Sequence, residues 1–149
     1  MTVEIHDKNN IPQLLNAFPK EKEQILRLAG VFLEGKIKET IQRGRSEWPP
    51  LKPATIKRKK SSKPLIDTGK LLNSITSKVE GDTAKVGIFG EYAIVAAVHE
   101  FGTNRAGRGR NVVIPARPYL RPTFDENKEE IEKIIGEKVQ AVIERFKVK

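Results

Sequence analysis

The chain has 149 residues, 28 lysines and arginines against 19 acidic side chains, a net charge of +9 and 38% apolar residues, the profile of one basic globular domain. It contains no cysteine, which removes disulfides, thiol nucleophiles, iron–sulfur clusters and cysteine zinc sites. The longest apolar run, Tyr92–Val98, falls far short of the ~20 residues of a membrane-spanning helix, and the opening MTVEIHDKNN has no basic start or apolar stretch, so cytoplasmic synthesis and no membrane partner are expected.

Asn10, Ile11 and Pro12 predict a short capped turn, and Pro19 opens a longer helix running to about Gln42. Along it Leu26, Ala29, Leu33, Ile37 and Ile41 recur every three or four residues, which lines them up as one core-facing stripe. Gly44 and Trp48-Pro49-Pro50 end that helix, because proline removes a backbone donor and biases its predecessor away from helix. Residues 43–63 then carry Arg43, Arg45, Lys52, Lys57, Arg58, Lys59, Lys60 and Lys63 against Glu47 alone, with weak periodicity, and read as a mobile basic loop. Trp48 inside it either packs on its own domain or anchors a partner, since tryptophan concentrates in interface hot spots.

The string LIDTG at 65–69 predicts a turn in which Asp67 or Thr68 accepts backbone N–H groups and Gly69 supplies dihedral freedom. Ser74–Val79 and Ala84–Phe89, rich in β-branched residues, flank Glu80-Gly81-Asp82-Thr83 and predict an antiparallel hairpin. Gly90 breaks the second strand; Tyr92–Phe101, apolar on nearly every side, predicts a short buried helix closed by Gly102. Residues 103–111, with Arg105, Arg108 and Arg110, read as a second mobile basic loop, and Arg117 and Arg121 extend that acid-free cluster. Asn111–Pro115 predicts a third strand joining the same sheet. Arg117-Pro118-Tyr119-Leu120-Arg121-Pro122 is a stiff connector, and Thr123 with Glu126 forms a capping box for a last helix whose stripe is Ile131, Ile134, Ile135, Val139, Val142, Ile143 and Phe146. The expected class is α+β over a single domain, 1–149: a small antiparallel sheet, a long N-terminal helix, a short buried helix, a C-terminal helix and two long basic loops.

Little catalytic chemistry is available. The two histidines, His6 and His99, stand at no metal-ligand spacing, and the lone Gly107-Arg108-Gly109 is no phosphate-binding loop. His99 beside Glu100 invites a triad with Asp67 and a serine, but Ser61, Ser62, Ser74 and Ser77 lack the glycine-framed turn that a nucleophile needs. A packed, hydrogen-bonded His99 is expected, with no catalytic residue, metal or cofactor. The acids of the last helix alternate with lysines as a solvated face. The basic loops suit electrostatic contact with DNA phosphates or an acidic protein surface, without base-reading geometry.

Several strings in order carry a resemblance: Trp48-Pro49-Pro50-Leu51 with Thr55, then Pro64-Leu65-Ile66-Asp67-Thr68-Gly69-Lys70-Leu71, Ser74-Ile75, Tyr92-Ala93, His99-Glu100-Phe101-Gly102-Thr103 and Pro115-Ala116-Arg117-Pro118-Tyr119-Leu120. Their sequence resembles the virion morphogenesis or tail completion proteins of tailed bacteriophages, with related head–tail joining proteins. The resemblance implies a non-enzymatic structural protein of the virion, placed at the neck or tail end, that lets head and tail join. It also implies a ring-like homo-oligomer such as a hexamer, with neighbouring neck and tail proteins as partners. Asp67, Thr68, Gly69, His99, Phe101, Gly102, Pro115, Arg117 and Pro118 are then fold-bearing motif positions. The competing expectation, from the basic loops alone, is a nucleic-acid-binding accessory protein.

Overall fold

The computed structural model describes residues 11–147. A long helix α1 (Ile11–Arg43) leads into a short α2 (Pro53–Lys59) and a single turn α3 (Lys70–Asn73). The hairpin β1 (Thr76–Glu80) and β2 (Thr83–Gly87) follows, then α4 (Ala93–Phe101), a second hairpin β3 (Thr103–Ala106) and β4 (Val112–Ile114), and the C-terminal helix α5 (Arg121–Phe146). The α+β class and the two long helices are as the sequence predicts.

The stripe on α1 is the spine of the core. Ile25, Ala29, Ile37 and Ile41 are buried along it, with Leu33 half-buried, and α5 and the first hairpin pack against it. Ile37 and Ile41 join Trp48, Leu65, Leu71, Ile75, Ala96 and Tyr119 in one cluster, which binds every α-helical segment except α2 and α5 to the intervening loops. Gly44, at φ +76, closes α1 with its N–H donating 2.8 Å to the Thr40 carbonyl, a left-handed cap that a side chain disfavours.

Several local expectations give way. Pro19 lies inside α1 rather than opening it, so the helix forgoes one backbone bond there; Asn10 falls outside the described residues. The segment 43–63 is not one loop: Pro53, with its fixed φ and no N–H to satisfy, starts α2 at N1. The 103–111 segment is likewise no free loop, because Arg110 N–H donates 3.1 Å to the Gly107 carbonyl and the chain turns back on itself. The strand near residue 112 therefore pairs with Thr103–Ala106 in a separate two-stranded sheet and does not join β1–β2. In the first hairpin Glu80 faces Thr83 across the Gly81-Asp82 turn, as the tetrad predicts.

The helix α4 is not buried all round. Ala96 and Glu100 are its buried residues, whereas Ile94 is 74% and Phe101 79% exposed. Burial of one side is all that a helix laid across the domain surface achieves. The Thr123–Glu126 capping box also does not form, because α5 begins two residues before Thr123. Thr123 is buried; its Oγ1 donates to the Tyr119 carbonyl at 2.7 Å and sits 2.9 Å from the Thr40 hydroxyl. Glu126 instead binds Arg45.

Candidate functional site

Three interactions between distant segments fix the extended stretch before α5. The buried Glu100 carboxylate accepts the backbone N–H groups of Tyr119 (2.7 Å) and Leu120 (3.0 Å) at Oε2 and of Arg121 (3.1 Å) at Oε1. It thus does from another helix what a capping box does locally, satisfying donors at a helix start and placing negative charge at the positive end of the dipole. The buried Arg117 guanidinium donates from Nε to the Pro49 carbonyl (2.8 Å) and from Nη2 to the Pro50 carbonyl (3.1 Å). Trp48, 6% exposed, packs in its own core and donates from Nε1 to the Pro118 carbonyl at 2.9 Å.

Beside this junction lies a groove of about 510 Å³. One wall is α2 with Arg58 and Lys59; the floor includes Leu65 and Leu71; the far wall is the strand β4 with Val112, Val113 and Ile114. Leu65 holds a left-handed backbone, φ +62, unusual for a branched residue and sustained by its burial. Lys52, Lys70 and Arg117 add positive charge, and Asp67 is the single acid among the lining residues.

His99 reaches this groove from α4, and its Nδ1 is buried with no hydrogen-bond partner. The expected hydrogen-bonded histidine is therefore half right: the ring is packed, but this nitrogen is not satisfied. Burial lowers the imidazole's pKa from its ordinary value, and the positive Arg117 and Lys59 lower it further, favouring the neutral ring. Burial and the neighbouring guanidinium groups of Arg117 and Arg58 also lower the Lys59 ammonium, against the opposing pull of Asp67. The site is thus a cationic pocket short of negative charge.

A second groove of about 530 Å³ runs between α1, the first hairpin, α4 and α5, and is walled by apolar side chains including Leu33, Val86, Ile88, Phe101 and Phe124. Ile94 and Val95, on the same helix α4, are also exposed.

The predicted contact residues do not form one patch of free charge. Arg45 is tied to Glu47 and Glu126, and its hydrogen bond with Glu126, followed by that with Glu47, raises its pKa. Lys59 Nζ donates to the Lys63 carbonyl at 2.9 Å. Arg43, Lys57, Arg58, Lys60, Lys63, Arg105, Arg108 and Arg110 are exposed, and among the described residues they form no ion pair. The motif positions converge better: His99, Pro115 and Arg117 line the groove together with Asp67 and Thr68. Gly69, at φ +80, starts α3, while no hydrogen bond to a backbone N–H from Asp67 or Thr68 is seen. Sequence reasoning missed Glu100 as a cap and β4 as a groove wall. The signal for Glu100 was there, a carboxylate within an apolar helical run, which burial tolerates only with donors to receive.

No group of three or more histidine, aspartate or glutamate side chains among the described residues is placed to hold a metal ion. No described helix is long and apolar enough to cross a membrane. Compared with known proteins, residues 7–140 match the profile of the phage virion morphogenesis family. The chain is 32% identical over 136 residues to the Mu-like prophage FluMu G protein 2 of Haemophilus influenzae, spanning 89% of this chain and 91% of that protein. No solved structure matches. The chain belongs to the phage virion morphogenesis family.

Proposed function

We propose that this member of the phage virion morphogenesis family completes the tail or neck and lets DNA-filled heads and tails join, assembling there as a ring of identical subunits without catalysing a reaction. Family membership over nearly the whole chain carries the reading. The surface is compatible with it: Phe101 and Phe124 line the second groove and are exposed, as is Ile94 on the same helix as Phe101, and an assembly component covers exposed apolar side chains of this kind. The exposed arginines and lysines of α2 and the second hairpin supply long-range attraction toward acidic neighbours.

Electron microscopy of a lysate from a phage lacking the gene tests the role. Filled heads and free tails are expected to accumulate unjoined; intact infectious virions would end the proposal. Light scattering across a dilution series, with and without the adjoining tail protein, tests the ring, and a monomer under every condition would remove it.

The exposed basic residues favour one second reading, an accessory nucleic-acid-binding protein. On that reading binding prefers one DNA sequence and survives high salt, whereas purely electrostatic contact falls steeply with salt and ignores sequence.

A further inference from the structure

We infer that the groove between α2 and β4 binds an extended, acidic segment of a partner protein, which adds as a strand along the open edge of β4. Two observations meet there. The first is the strand edge: among the described residues β4 pairs only with β3, and Val112, Val113 and Ile114 line the groove whereas no residue of β3 does. β4 thus borders the cavity on a side that β3 does not reach, and Val113 is 59% exposed. An open edge presents backbone N–H and C=O groups that only another extended chain pairs in series.

The second is charge. Arg58, Lys59 and Lys70 surround the space, the Arg117 guanidinium is engaged by two neutral carbonyls and keeps its full charge, and Asp67 alone opposes them. Carboxylates on every other residue of an added strand meet the cationic side, while the alternate residues lie on the apolar floor of Leu65 and Leu71. Nucleic acid fits less well: the floor is apolar, and the phenol ring in the lining, Tyr92, is already covered by Lys70 Nζ at 4.6 Å from its centre. The inference deepens the joining role and rests on it only for which particle supplies the segment.

The test uses the full chain and the acetylated, amidated peptide Glu-Val-Glu-Val-Glu-Val as probe, followed by calorimetry and by amide NMR shifts at Val112, Val113 and Ile114. Replacing the peptide's glutamates by glutamines, or N-methylating alternate backbone nitrogens, is each expected to weaken binding by about tenfold, since one removes the charge and the other the strand pairing. The exposed substitutions Arg58→Glu and Lys70→Glu, with folding checked by circular dichroism, are expected to weaken it by a similar factor together. Absence of binding, or binding indifferent to N-methylation, overturns the inference, as does a 12-base-pair DNA duplex that shifts the same amides while the peptide does not. Normal head–tail joining by the doubly substituted chain after it has lost the peptide also overturns the groove as the joining contact; the deletion lysate judges joining itself.

Discussion

Glu100 Oε2 lies 2.7 Å from the backbone nitrogen of Tyr119, so a carboxylate at the end of α4 governs where α5 begins. Because the same group also receives Leu120 and Arg121, its loss strands three donors at once. Glu100→Ala is expected to cost about 2–3 kcal/mol in urea denaturation, and Glu100→Gln, which keeps one acceptor oxygen, clearly less. Equal losses for the two variants would show that the acceptor oxygen kept by glutamine holds none of the three donors, against the cap.

Arg117→Lys keeps the charge and discards the planar fork that reaches both Pro49 and Pro50. A loss of about 2 kcal/mol is expected, with a red shift of Trp48 fluorescence as the 48–50 segment loosens. An unshifted spectrum at unchanged stability would refute the clamp.

Two glycines predict opposite signs. A Cβ on Gly102 would lie 2.7 Å from the Ala116 nitrogen and 3.0 Å from the Ile114 carbonyl oxygen, both backbone atoms, at φ +73. Gly102→Ala is therefore expected to destabilise by more than about 1 kcal/mol. Gly136, inside α5 with no atom within 4 Å of its would-be Cβ, is expected to gain about 0.5–1 kcal/mol on substitution by alanine. Melting curves of the pair check both.

His99 makes stability depend on pH in a defined direction. Its folded pKa lies below the ordinary histidine value of about 6.5, so between the two values the unfolded chain binds more protons and stability rises with pH. The contribution is whole above about pH 6.5 and declines as pH falls through that value toward the folded pKa. Denaturation midpoints from pH 8 to 5 are expected to fall more for the native chain than for His99→Gln. The charged groups that face the ring are Arg117 and Lys59. Parallel curves would assign the dependence elsewhere.

Elements that depend on periodicity were legible in the sequence. The α1 stripe, the first hairpin with its Gly81-Asp82 turn and the Gly102 cap are local patterns, and the structure carries all three. What the sequence hid is set by long-range contact. Thr123 and Glu126 have the spacing of a capping box, but Glu100, about twenty residues away, takes the helix start and frees both for other partners. Val112–Ile114 reads as a strand, yet nothing local says which strand it pairs with. The basic stretch at 43–63 merges residues that differ physically: Arg45 is spent on two carboxylates, whereas Arg58 faces a cavity. Trp48, equally compatible with a partner, turned inward because a carbonyl 70 residues later awaits its N–H.

The buried hydroxyls of Thr40 and Thr123 meet across 83 residues of chain, and the α1 stripe they border is covered by α5. A ribosome makes the stripe long before its cover. During synthesis the emerging chain therefore carries Ile25, Ala29, Ile37 and Ile41 uncovered until α5 has left the exit tunnel, a delay of several seconds at about 5–20 residues per second. Closure of the core waits for α5, and the high sequence separation of the α1–α5 contacts makes the step slow.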